Sequence, residues 1–100
     1  MELAALLREL KYRAGGPPNI SDPLSAARRY LSEQASDAEA RMLRRLLAVL
    51  MWGRAKVHEA DLACFTANGA LIAAALIDAR LRGLYPDADW RTAILALAGS

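Results

Sequence analysis

Arg41, Arg44, Arg45 and Trp52 place three guanidinium groups and an indole within twelve residues of one another. Guanidinium groups pair with carboxylates and phosphates through parallel N–H donors. Tryptophan and arginine are also the side chains most enriched among the energetic anchors of protein interfaces. At 100° per residue these four residues, with Asp37 and Ala48, fall opposite Leu43, Leu46, Leu47 and Leu50. The pattern describes a helix with one face for a core and another that can touch something. Arg28 and Arg29, shortly upstream, supply two further cations to the candidate surface. The plainer reading stands beside it: helical arginines are commonly a solvated face, and Trp52, near a helix end, can fold against its own bundle.

Other reactive side chains form no recognisable constellation. His58-Glu59-Ala60-Asp61 lacks the second histidine of a metalloprotease helix, and Asp61 stands three rather than four residues from His58. Cys64 is the only cysteine, so it completes no zinc tetrad, and its separation of six from His58 aligns poorly for a nucleophile and base. It reads as a small core residue. Gly15-Gly16 leads into Pro17-Pro18 instead of a helix start, which excludes a phosphate-cradling loop. No catalytic residue, cofactor or metal is expected. A helix-turn-helix around Asn68-Gly69 would offer Leu71, Ile72, Ala73, Ala74 and Ala75 to the bases, and these cannot distinguish base edges. Aromatic residues in a row, as on a single-strand platform, are missing.

The elements that must position these groups are all helical. A first helix is expected from Glu2 to about Ala14, with Leu3, Leu6, Leu7, Leu10 and Ala14 on one face and Glu9 paired with Arg13. Gly15-Gly16-Pro17-Pro18 ends it. Asp22 before Pro23 is a cap with proline at the first helical position, which starts a second helix running to about Ala35, its inward side marked by Leu24, Ala27 and Leu31. Ser36 and Glu39 form a capping box for the third, which closes near Gly53. A fourth helical region spans Glu59 to Arg82 and ends at Gly83 with Leu84 placed for a Schellman contact. Gly69 either breaks this region in a turn with Asn68 or sits in a continuous helix for close packing, and the continuous form is preferred. Leu62, Phe65, Gly69, Ile72 and Leu76 form its stripe, flanked by Ala67, Ala70, Leu71 and Ala74, which marks it as the central helix. Asp87 caps a last helix from Ala88 to about Ala98, with Trp90, Ile94 and Leu97 inward and Arg91 outward.

One hundred residues suit a single domain, here residues 1–100, and the expected class is all-α, a compact bundle of about five helices. Hydrophobic residues make up 55% of the chain, more than so small a core needs, so part of the surplus is available to a partner. The net charge is only +2 but uneven: residues 28–56 hold seven basic and three acidic side chains, residues 57–100 three basic and five acidic. A lone cysteine suits a reducing, cytoplasmic compartment. No signal peptide is expected from Met1-Glu2-Leu3, and the longest uncharged run, the 16 residues Leu62 to Ile77, is too short to span a bilayer.

A one-domain, motif-free helical chain rich in alanine and arginine resembles, in size and style across its whole length, the small inhibitors that phages and mobile elements encode against bacterial defence, such as anti-CRISPR proteins. The resemblance implies a non-enzymatic protein that blocks a host complex, such as a CRISPR surveillance complex, by occupying a protein or nucleic-acid-binding surface. It carries over no functional residue. Many such inhibitors are acidic mimics of nucleic acid, whereas this chain is positive, which favours wedging between protein subunits. The leading expectation is binding to another protein or protein complex through Arg41, Arg44, Arg45 and Trp52, supported by Arg28 and Arg29. The alternatives are a small regulator contacting nucleic acid through the same arginines, and an antitoxin-like homodimer.

Overall fold

The computed structural model describes residues 2–53 and 57–98, the last two by backbone alone. Five α-helices and one 3₁₀ turn follow in order: α1 (Leu3–Ala14), α2 (Pro23–Glu33), α3 (Asp37–Trp52), the 3₁₀ segment (Glu59–Cys64), α4 (Ala67–Arg82) and α5 (Asp87–Ala98). No strand occurs among the described residues, so the protein is an all-α bundle. Leu97, expected inward, and most of the connection after Gly53 lie outside the described side chains.

Local chemistry sets the helix ends. Asp22 accepts from the Ser25 N–H at 3.5 Å and the Ser25 hydroxyl at 2.8 Å, with Pro23 opening α2. Gly15, Gly53 and Gly83 adopt left-handed angles just past α1, α3 and α4. At Gly83 both Schellman bonds form, Leu84 N–H to Ala79 carbonyl at 3.0 Å and Gly83 N–H to Arg80 carbonyl at 3.2 Å. The Glu9–Arg13 pair closes at 3.1 Å. α2 ends at Glu33, two residues earlier than expected. Asp87 lies inside the first turn of α5 rather than before it: Pro86 supplies the carbonyl that receives the Asp89 N–H, and Asp87 instead pairs with Arg80 at 2.9 Å.

The continuous fourth helix does not form. The chain breaks at Phe65 and Thr66, both extended, so Glu59–Cys64 is a 3₁₀ turn and Thr66 caps a separate α4. Neither Asn68 nor Gly69 is the break, and both sit in the first turn of α4. α4 is the central element, packed most extensively against α1, then α2 and α3, while α3 also packs on α5 and the 3₁₀ turn. Its small residues explain the position. Gly69, Ala70, Ala73, Ala74, Ala75 and Ala79 are buried around most of its circumference, because neighbouring helices can approach a surface without long side chains. Leu6 and Leu10 of α1, Leu24, Ala27 and Tyr30 of α2, and Met42, Leu43, Leu46, Leu47 and Leu50 of α3 close one core around it. Trp90 locks α5 down. It is fully buried, with the Tyr85 ring against it edge-on at 5.6 Å and the Arg80 guanidinium 5.8 Å from its ring centre.

Candidate functional site

α3 places polar chemistry on both of its sides. On the outward side, Arg41, Arg45, Ala48 and Trp52 fall within about 60° of one another on the helix, a ridge of spacing four, three and four. Arg41 is exposed and Trp52 is 48% exposed, so its indole meets solvent instead of folding into the bundle. Arg45 is also exposed and lies 3.8 Å from a carboxylate oxygen of Asp61, on the 3₁₀ turn packed beside α3. The same Asp61 oxygen accepts the His58 N–H at 2.9 Å, which holds the carboxylate in place. Ala48 is half-buried between Arg45 and Trp52.

Arg44 departs from the expected surface. It is half-buried, and its Nε is enclosed without a hydrogen-bond partner. The reason is angular: Arg44 sits about 100° from Arg45, at the flank of the ridge where packed neighbours begin. Arg28 and Arg29 are exposed but belong elsewhere. Arg28 lines a groove of about 270 Å³ with Asp22, Tyr85, Asp89 and Thr92, between α2 and α5. Arg29 lines one of about 320 Å³ with Tyr30, Gln34, Asn68, Leu71 and Ile72, between α2 and α4. Neither groove includes an α3 residue. The structure therefore gathers Arg41, Arg45 and Trp52 and separates Arg28, Arg29 and Arg44 from them.

The inward side of α3 holds a carboxylate. Glu39 is only 3% exposed, and its Oε2 accepts from the Tyr30 hydroxyl at 2.8 Å, the Thr66 N–H at 3.2 Å and the Thr66 hydroxyl at 3.3 Å. Its Oε1 turns to Ser36, whose hydroxyl lies 3.5 Å away and accepts the Glu39 N–H at 3.2 Å. The expected capping box thus uses one carboxylate oxygen while the other ties α3 to α2 and to the start of α4. Burial alone would raise the Glu39 pKa, but hydrogen bonds from Tyr30, the Thr66 and Ser36 N–H groups and the Thr66 hydroxyl together hold it below its ordinary value. The Tyr30 hydroxyl is pushed up, first by burial. Gly69 makes room for this joint: a Cβ there would stand 2.1 Å from Glu39 Oε2 and 3.1 Å from the Tyr30 oxygen. A sequence signal existed, since Glu39, Leu43, Leu46 and Leu50 follow the spacing of a single core stripe.

Other reactive groups stay apart. Cys64 is half-buried, donates to the Asp61 carbonyl at 3.3 Å, and has its thiol pKa raised, mainly by burial, which disfavours the nucleophilic thiolate. No cluster of three or more metal-ligating side chains occurs among the described residues. Within α4, Ala73, Ala74 and Ala75 are buried and unavailable to nucleic acid. No described helix is long and apolar enough to cross a membrane. The fold and the ridge define a small all-α bundle with one aromatic and cationic surface on its third helix. No protein-family model matches the chain, and comparisons with curated proteins and with solved structures likewise find no match.

Proposed function

We propose that this chain is a non-enzymatic binding module that acts stoichiometrically on another protein, with Arg41, Arg45 and Trp52 as its contact. The observation that carries the reading is the half-exposed Trp52 indole in line with two exposed guanidinium groups. A large aromatic left in water gains by being covered, and a desolvated guanidinium adds directional pairing at the same place. An inhibitor of the anti-CRISPR kind, encoded by a phage or mobile element and working in the reducing cytoplasm of its host, is the setting that the chain's size and style suggest.

The arrangement favours a protein partner over nucleic acid. Asp37 on the same face of α3 and Asp61 on the 3₁₀ turn bring negative charge to the ridge, and Arg28 and Arg29 stand on other grooves, so the described arginines of α2 and α3 form no continuous cationic track for a polyanion. Capture of the partner from the native host with wild-type protein, followed by titration of that partner against R45A, W52A and the double variant, tests the reading. The double variant is expected to lose more than about 2 kcal/mol of binding free energy while keeping wild-type helicity. Unchanged affinity removes the ridge from the interface, and affinity for nucleic acid that falls steeply with salt replaces the protein partner by a nucleic acid. Sedimentation over a concentration series reads out self-association.

A further inference from the structure

We propose that the groove between α2 and α4 is a second binding site, one that takes the carboxyl-terminal residues of another polypeptide ending on an apolar side chain. The α3 ridge has no part in it. Arg29, Gln34 and Asn68 are exposed along this groove, and Leu71 and Ile72 are half-buried beside the covered ring of Tyr30. Polar groups of two kinds thus border one aliphatic surface. The Arg29 guanidinium enters no ion pair among the described residues, even with Glu33 one turn further along α2. Neither the Gln34 nor the Asn68 carboxamide has a hydrogen-bond partner there. The charge is also of a single sign: Arg29 is the one charged side chain in the lining, and no described carboxylate belongs to it.

These groups together select the occupant. A guanidinium takes a carboxylate through parallel N–H donors, and a carboxamide offers both a donor and an acceptor to a peptide unit, which a simple aliphatic acid lacks. The outer surfaces of Leu71 and Ile72 then reward an apolar side chain. The groove runs from Ala26 to Gln34, about 12 Å along α2, which matches three or four extended residues at about 3.3 Å each. A helix about 10 Å across would cover such a groove without entering it. The last residue of a chain brings a carboxylate, a peptide N–H and a side chain to one Cα, whereas an internal glutamate holds its carboxylate away from the backbone. A single guanidinium gives no track for a nucleic-acid backbone.

The test uses the full chain, labelled for NMR, and four probes: N-acetylated Ala-Ala-Ala-Leu with a free carboxylate, the same peptide amidated, an amidated Ala-Glu-Ala-Leu, and octanoate. The free acid peptide is expected to shift the Arg29 Nε–H, the Gln34 and Asn68 side-chain amides and the Leu71 and Ile72 methyl groups, with the Trp52 indole N–H unmoved. The amidated peptide should bind at least about tenfold more weakly, the size of a charge-assisted hydrogen bond, and the internal glutamate should not restore the loss. R29Q should bring the free acid peptide down to the affinity of its amide, whereas R28Q, outside this groove, should leave it within about twofold. Equal affinity for acid and amide, or a loss in R28Q as large as that in R29Q, overturns the terminal carboxylate. Octanoate as tight as the free acid peptide overturns the peptide occupant, and recovery through the internal glutamate overturns the chain end. No shift from the peptides at millimolar concentration, or shifts confined to Trp52, removes the groove as a site and leaves the α3 ridge to its own test.

Discussion

Glu39 and Arg41 are two residues apart on α3, yet one is sealed into the protein and the other stands in water. Glu39 has three donors on a single oxygen and touches α2 and the start of α4 through them. On the ridge of Arg41, Arg45 and Trp52, the ion pair from Arg45 to Asp61 is long, at 3.8 Å, and lies at the surface. A buried charge survives only when its hydrogen bonds replace those of water, so the inner face must be complete within the chain. An exposed face bears no such requirement, and the half of the Trp52 indole left in solvent gains nothing for the fold. One helix thus separates the polar groups that specify the bundle from those open to other molecules.

Filling the space beside Glu39 breaks the inner half most severely. Gly69→Ala improves helix propensity by about 1 kcal/mol, yet its methyl group must displace a carboxylate that is pinned and enclosed, leaving Tyr30 and Thr66 donors unpaired. We expect net destabilisation of about 2–4 kcal/mol in urea titrations. A G69A variant as stable as wild type would show that the joint relaxes freely.

Acid should weaken the same joint. The Glu39 pKa is lower folded than unfolded, so it contributes stability that is fully present above its unfolded value, about 4.3, and is lost as pH falls through the lower folded value. The difference in unfolding free energy between wild type and E39Q should therefore be constant near neutrality and shrink below about pH 4.3. Asp22, held low chiefly by the Tyr85 hydroxyl and then by Ser25, titrates in the same direction, and it remains in the variant as an internal control.

The outer half responds more quietly. R41A should change stability by less than about 0.5 kcal/mol, and W52A, which gives up the covered half of its indole, by about 1–2 kcal/mol, still less than the loss expected at Gly69. The two tryptophans sharpen the contrast without any substitution: acrylamide should quench Trp52, at 48% exposure, and spare the fully buried Trp90. A single, wholly shielded population in the monomer would place Trp52 inside the bundle and end the ridge as a contact surface.

Helix number, most boundaries and the leucine faces of α1, α2 and α3 were legible in the residues, because capping, glycine termination and apolar period act within a few positions. Trp90 was also legible as core from its spacing with Ile94. The break before α4 was not, since the 62–76 stripe runs on across Phe65 and Thr66. Thr66 caps α4 locally by accepting the Gly69 N–H, but the Tyr30 and Glu39 groups that fix it in place come from other helices. Arg44 was misplaced because a helical wheel locates a face but not the neighbour that covers its flank.

The sequence by itself determined that five helices form, which leucines the first three turn inward, and that a tryptophan shares a helix face with arginines, all consequences of short-range chemistry. The tertiary structure alone decided that Glu39 is buried, that Gly69 must lack a side chain, that Arg28 and Arg29 face other grooves, and that Asp61 meets Arg45. Those outcomes depend on which helices become neighbours, and contacts between residues sixteen to thirty positions apart leave no periodic trace in the chain.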